Sequence, residues 1–249
     1  MGLSIPSPST TFLIEEQKNS DKLYGFNNAY IGDYIVAYKT EYTSPGTQSI
    51  TIPSWCSSIA VILIGGGGGG GGGILGSTRR GGGGGAGGSL VTTAFPVSPN
   101  STISITVGSL GQGGSGYGST SSDGGSGTAS SLMIGGLSVL TAMNGSGGGR
   151  VTSSSNGAGG AGGSYSVSAD YSTYIKYYIN GGAGTGGSTG GTGGSRTALN
   201  QADAGYCDDF IATGGGSSDP NGYGAGGIGV VGSSGQSGNN GYVCIYFYI

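Results

Sequence analysis

The chain has 249 residues, of which 63 are glycine, 16 tyrosine and none histidine; only 8% are charged, and the formal net charge is −3. Without histidine there is no Ser-His or Cys-His nucleophile system, and without a basic patch nothing neutralises a phosphate backbone, so catalysis of those kinds and nucleic-acid binding are not expected. Glycine-rich composition usually signals disorder, but disordered chains are charge-rich and apolar-poor, whereas this one is 34% apolar.

Residues 1–8 contain neither a basic segment nor an apolar run of signal-peptide length, so synthesis in a cytosol is expected, with release in a particle as the route outward. Residues 1–42 hold five of the eleven acids and few glycines. They read as an N-terminal β segment or attachment arm, with short strands at 12–16 and 30–38. The neighbours Glu15 and Glu16 would point to opposite faces of such a strand, so they make no carboxylate pair.

Residues 43–249 read as one glycine-rich domain. Residues 47–52 alternate, with Ile50 and Ile52 on one face and Pro53 as a stop. Residues 59–64 (IAVILI) form an apolar run suited to a strand buried on both faces, and too short to cross a bilayer. Residues 90–97 and 102–107 suggest a hairpin turning at Ser98-Pro99-Asn100, and 138–143 a shorter strand. At the C-terminal end, Val243, Ile245, Phe247 and Ile249 share one side of a strand, with Tyr242, Cys244, Tyr246 and Tyr248 on the other. Apolar strands at both ends of the glycine body are expected to pair and close the domain.

Between these strands glycine dominates. Residues 65–73 are nine consecutive glycines and 81–85 five. Elsewhere the spacing is three: Gly181, Gly184, Gly187, Gly190 and Gly193 form one series, and Gly226, Gly229, Gly232, Gly235, Gly238 and Gly241 another. Collagen would need proline in the intervening positions, and neither series has any. The remaining candidate is polyglycine-II packing, in which each chain is a left-handed threefold helix and every third residue faces the same neighbour. Read as one rod, residues 226–241 would span about 50 Å at the rise of such a helix. Ordering costs about 1–2 kcal/mol per residue in backbone entropy and a hydrogen bond returns roughly 1 kcal/mol net, so the rods need rigid strands to clamp them. The expected fold is therefore mainly β plus packed polyglycine-II helices, a glycine-rich sandwich closed by its terminal apolar strands, with essentially no α-helix.

No catalytic, cofactor or metal site is expected. No Gly-Lys-Ser/Thr follows a glycine run, and the G-x-G-x-x-G matches lack a strand–helix context. Asp203, Asp208 and Asp209 read as a solvated turn rather than a calcium loop. The acceptor patterns at Asn100 and Asn144 carry no weight without a secretory route. Cys56, Cys207 and Cys244 fit no zinc spacing and read as structural thiols, a contact between Cys56 and Cys244 staying open. The binding candidates are segments that interrupt the glycine tracts. They are Ile74, Leu75, Arg79 and Arg80; Tyr165, Tyr171, Tyr174, Tyr177 and Tyr178 with Lys176; and Tyr206, Asp208, Asp209 and Phe210. Tyrosine and arginine are enriched at interface hot spots, although the tyrosines also suit packing against one another as a core.

The ordered series of features resembles the glycine-rich domains of bacteriophage tail fibres and related virion proteins. It comprises Ser44-Pro45-Gly46 leading to Ile52-Pro53, the apolar run to Ile64, the polyglycine block, Gly83-Gly84-Gly85-Ala86-Gly87-Gly88, Ile105-Thr106-Val107-Gly108, and residues 235–249 as the closing tract and strand. It is also similar to tail-fibre tip adhesins of T-even-like phages, whose polyglycine-II sandwiches carry distal loops that bind outer-membrane proteins. The resemblance implies a non-enzymatic virion structural or attachment protein (tail-fibre tip, spike or capsid fibre) at the virion surface, made in the host cytoplasm. Its implied partners are other virion proteins and a host-surface protein or glycan, with no membrane insertion. Such proteins are commonly homotrimers, although no coiled-coil heptads argue for one here. The short N-terminal segment departs from the adhesins, which keeps a purely structural decoration protein open. Ice binding is a third reading, since period-three bundles present flat faces, but Thr185, Thr189 and Thr192 do not keep a three-residue step.

Overall fold

Runs of β-branched and aromatic residues bounded by glycine favour extended backbone, and two antiparallel sheets form from them. The computed structural model describes residues 36–117, 119–187 and 223–249. All of these lie within one unit, Tyr34–Ile249. The first sheet runs β1 (Val36–Tyr42), β13 (Tyr242–Tyr248), β3 (Ser58–Ile64), β4 (Ser89–Thr92) and β12 (Ile175–Ile179), with β5 (Phe95–Pro96) beside β3. The second runs β11 (Tyr165–Val167), β10 (Leu137–Ala142), β9 (Ser130–Ile134), β6 (Thr102–Val107) and β2 (Gly46–Thr51). A two-stranded ribbon, β7 (Gly116–Tyr117) and β8 (Thr120–Ser121), stands apart, and a 3₁₀ turn, Ala169–Tyr174, joins β11 to β12.

The apolar strands at the two ends of the glycine body pair as expected. β3 lies against β13 in unbroken antiparallel register, from Ser58 opposite Tyr248 to Ile64 opposite Tyr242. Both strands are buried along their whole length. One face of the pair sets Ile59, Val61, Leu63, Val243, Ile245 and Phe247 against Ile103, Ile105, Val107, Leu132, Leu140 and Ala142 of the second sheet. Each of these side chains other than Ala142 contributes about 1.5–3 kcal/mol when fully buried. The opposite face carries Ala60, Ile62, Ile64, Tyr242, Cys244, Tyr246 and Tyr248, with Tyr177 and Tyr223 packed on them. The alternation read along β13 therefore holds, except that Ile249 is exposed. Cys56 sits in the inter-sheet core and Cys244 in the other cluster, so the two do not meet.

The structure departs from the sequence reading at two strands. Residues 90–97 and 102–107 are not a hairpin: β4 and β5 belong to the first sheet and β6 to the second. The turn between them is real, with Asn100 at φ 60° and the Ser101 N–H donating to Ser98 O. It carries the chain across the sandwich because Phe95 and Ile103 must both face the core between the sheets. At the N-terminal side, β1 pairs with β13 through Tyr42 opposite Val243. β1 overlaps the end of the strand expected at 30–38; the rest of that strand and the one expected at 12–16 lie outside the described residues.

The glycine body grows directly from these strands, because the polyproline-II backbone lies beside the β region and the chain passes from one to the other without a turn. The 65–73 rod continues β3, returns through a loop as the 81–88 rod, and re-enters the sheet as β4. Its threefold symmetry is visible in its donors. The N–H groups of Gly65, Gly68 and Gly71 go to Gly88, Gly85 and Gly82; those of Gly66, Gly69 and Gly72 to Thr128, Gly125 and Ser122; those of Gly67, Gly70 and Gly73 to Asn239, Gln236 and Ser233. Its carbonyls accept from three further rods: Gly66 and Gly69 from Gly145 and Gly148, Gly67 and Gly70 from Gly111 and Gly114, and Gly68 from Gly227. The rod is thus ringed by neighbours on six sides and buried throughout. A Cβ on Gly69 would lie 2.0 Å from the Gln112 carbonyl oxygen.

Encirclement explains why some tracts are continuous glycine and others only period three. In the outer 233–241 rod, Gly235 and Gly238 face the 65–73 rod, where a Cβ would meet Gly70 O and Gly67 O, and the serines, Gln236 and the asparagines occupy the other phases. The series from Gly226 to Gly241 is not one long rod. It folds back at Gly232, whose φ of 66° is left-handed, and Gln236 and Asn239 donate to Ile228 and Ala225 of the preceding 224–230 rod. Gly181, Gly184 and Gly187 donate to Gly163, Gly160 and Gly157, while Gly190 and Gly193 lie outside the described residues. Ser130 marks the joint between sandwich and rods: fully buried, its hydroxyl donates to Ile64 O at 2.6 Å and accepts from the Gly108 N–H at 2.9 Å.

Candidate binding tip

Rods that leave a sandwich on one side must turn at their far ends, and those turns gather. From β3 the 65–73 rod extends roughly 28 Å at the rise of this helix before its first loop. Residues 74–80 form that loop, and the Ser77 N–H closes it on Ile74 O. Two bonds lash it to the 152–156 turn: the Arg79 guanidinium donates to Ser153 O, and the Arg80 N–H donates to Asn156 Oδ1 at 3.0 Å. A third turn abuts it at Gly232, where a Cβ would lie 3.8 Å from Leu75 Cδ1. Next to these, Ser121 Oγ donates to Val151 O at 2.6 Å and the Arg150 N–H donates to Asp123 Oδ1 at 2.8 Å.

The surface so formed is mixed. Leu75 is 65% exposed and Val231 42%, two of the five large apolar side chains that the described residues present to solvent. Arg80 and Arg150 are exposed beside them, Arg79 and Ile74 half-buried, and Asp123 supplies an acid. Apolar contact area ringed by guanidinium groups is a common composition for a protein or glycan interface. It offers no acid–base pair. Among the described residues no group of three or more His, Cys, Asp or Glu is placed to hold a metal ion, and no helix is long and apolar enough to cross a membrane.

The candidates read from sequence separate into three places. Ile74, Leu75, Arg79 and Arg80 lie together on this tip. Tyr165, Tyr171, Tyr174, Tyr177 and Tyr178 lie on the sandwich, in β11, the 3₁₀ turn and β12 rather than in a loop between rods; Tyr171 and Tyr174 sit at the strand ends away from the rods, whereas Tyr165, opposite Ala142, and Tyr178, opposite Leu90, sit at the ends next to them. Phe95 packs edge-on against Tyr171 at 5.3 Å and tilted against Tyr174 at 5.8 Å, as part of the inter-sheet core. Tyr177 packs on the other cluster with Lys176 5.4 Å from its ring, and Tyr178 stacks on Tyr165 at 4.3 Å while staying 53% exposed. Desolvation and the adjacent Tyr178 raise the Tyr165 hydroxyl above its ordinary pKa. Tyr206, Asp208, Asp209 and Phe210, with Asp203, lie outside the described residues.

Sequence reasoning passed over Val231, Arg150, Asp123 and Asn156. Val231 had a signal, an apolar pair just before Gly232, but the unbroken period of three runs straight through the turn and hides it. Arg150 and Asp123 are near each other only because two rods far apart in sequence run side by side. A family model described as a glycine-rich domain matches residues 43–248. No curated protein matches the chain.

Proposed function

The chain belongs to the glycine-rich domain family, and from its rod-borne loop cluster we propose that it is a virion structural and attachment protein, of the tail-fibre tip, spike or capsid-fibre kind. The sandwich and rods would hold the tip at a distance from the particle, and Leu75, Val231, Arg79 and Arg80 would meet a host-surface protein or glycan. The observation that carries this reading is the placing of exposed apolar and guanidinium side chains on one set of turns, at the end of a body whose own chemistry is almost entirely backbone. Preorganisation favours it too, since loops already tied to one another lose little entropy on binding.

The test is a titration of fluorescently labelled protein on intact bacterial and eukaryotic cells. Saturable binding that Leu75→Asp weakens by about ten-fold or more supports attachment through the tip. Association that stays linear with concentration on every surface overturns it. A purely structural decoration role is favoured instead by the direct run of strand into rod, which suits load-bearing; it predicts particles that lose integrity without the protein while the isolated protein binds no cell.

A further inference from the structure

Among the described residues each of the two large sheets ends in two edge strands, and open edges invite another strand to pair unless charge, bulges or shortness prevent it. Three of the four edges are protected. β1 carries Lys39 and Glu41, ion-paired at 2.7 Å, and its register slips between Val36 and Tyr38. β12 carries Lys176 and slips between Ile175 and Tyr177. β11 is only three residues long. β2 has none of these devices. It is six residues long, uncharged, and pairs with β6 in unbroken register from Gly46 opposite Val107 to Thr51 opposite Thr102. Among the described residues β6 is its only strand partner, and every β2 residue but half-buried Ile50 is exposed.

We propose that β2 is a self-association edge, pairing antiparallel with β2 of a second copy about a two-fold axis at Ser49. The arrangement is isologous, so each contact occurs twice and the interface closes. Side chains alternate along β2. Ile50 packs toward the core with Gln48 on its side, and Thr47, Ser49 and Thr51 stand on the outer face. Centred on Ser49, the pairing puts Thr47 opposite the partner's Thr51, Ser49 opposite the partner's Ser49, and Gln48 opposite the partner's Ile50. Hydroxyl pairs of this kind stabilise antiparallel strands. The same face already makes one within the chain, Thr47 Oγ1 to Thr106 Oγ1 at 3.0 Å. The neutral edge meets its copy without like-charge repulsion, which Lys176 would introduce in a self-pairing of β12 centred on it.

The hydroxyls continue beyond the edge. Register aligns Thr47, Thr106, Ser131, Thr141 and Ser166 in one row across all five strands of the second sheet. A two-fold at β2 would join two such faces into one ten-stranded sheet. Because β6 runs toward the rods and β2 runs back, the partner's rods point the other way, and the dimer carries its tips at opposite ends.

Sedimentation equilibrium over micromolar to millimolar concentrations tests this independently of any receptor. The chain is expected to reach a dimer, and Ser49→Lys to raise the dissociation constant by about ten-fold through like charges placed opposite each other. An equimolar mixture of Ser49→Lys and Ser49→Glu is expected to restore the dimer, which only folded variants can do. Ser138→Lys, exposed on the same outer face but in β10, is expected to leave it unchanged. A wild-type chain that stays monomeric or forms trimers, a dimer indifferent to Ser49→Lys, or a mixture that fails to reassociate overturns the proposal.

Discussion

Adding one methyl group at Gly69 and one at Gly125 should have very different effects, although both glycines sit in polyglycine-II rods. At Gly69 a Cβ would come 2.0 Å from Gln112 O, 2.4 Å from its carbonyl carbon and 2.8 Å from Gly113 N, all backbone atoms. Ordinary contact is about 3.5 Å or more between such atoms, so the 108–116 rod would have to move by more than an ångström. That rod is bonded on either side of the clash, by Gly111 N–H to Gly67 O and Gly114 N–H to Gly70 O, both at 2.8 Å. Displacing it strands two buried donor–acceptor pairs, at about 1–3 kcal/mol each. Together with the strain of overpacking, Gly69→Ala should cost roughly 3–9 kcal/mol, a large part of the 5–15 kcal/mol typical of a folded domain. At Gly125, exposed on the 122–128 rod, the nearest atoms are Gln112 N at 3.3 Å and Gln112 O at 3.5 Å, a contact that a few tenths of an ångström relieves. There the loss of unfolded-state freedom, about 0.4–1 kcal/mol in favour of alanine, offsets the crowding and leaves Gly125→Ala near neutral. Urea unfolding followed by tyrosine fluorescence measures both. Equal midpoints for the two variants would refute the claim that interlocked backbones hold the body together.

Ser130→Ala leaves the Ile64 carbonyl and Gly108 N–H without their shared partner at the joint of β3, β6 and the rods, so a loss of about 2–4 kcal/mol is expected; Ser130→Thr should recover part of it in the same urea assay. Burial, with Tyr38 beside it, pushes the Tyr42 hydroxyl up to about 12. Because the folded pKa is the higher one, stability is intact below the unfolded value near 10 and falls as pH rises from there toward 12, by about 1–2 kcal/mol once solvent screening of this partly exposed group is taken into account. Urea midpoints at successive alkaline pH values should decline less steeply for Tyr42→Phe than for the wild type, and parallel declines would contradict the assignment.

Much of the fold was legible because the residues concerned have a narrow choice of environment. The run at 59–64 had to be buried on both sides, and its strand is central and buried throughout. Val243, Ile245 and Phe247 had to face away from Tyr242, Cys244 and Tyr246, and the two sets enter different clusters. The turn at Ser98-Pro99-Asn100 was readable as a turn but not as a crossing, since adjacency in sequence favours a hairpin and only the second sheet's own core face draws Ile103 away from β4. The tip was half legible: Ile74, Leu75, Arg79 and Arg80 stand out between two glycine blocks, whereas Val231 hides inside a period that does not stop at its turn.

By itself the amino-acid order determined the threefold rods and the strands at their ends. A missing side chain at every third position permits backbone contact in that direction and no other, and alternating apolar residues admit only half-buried β-structure. Which rods lie at the centre, where the long glycine series bends back, and which loops meet at the far end were decided by packing. Those outcomes depend on hydrogen bonds between residues such as Gly67 and Asn239, whose partnership no local preference encodes.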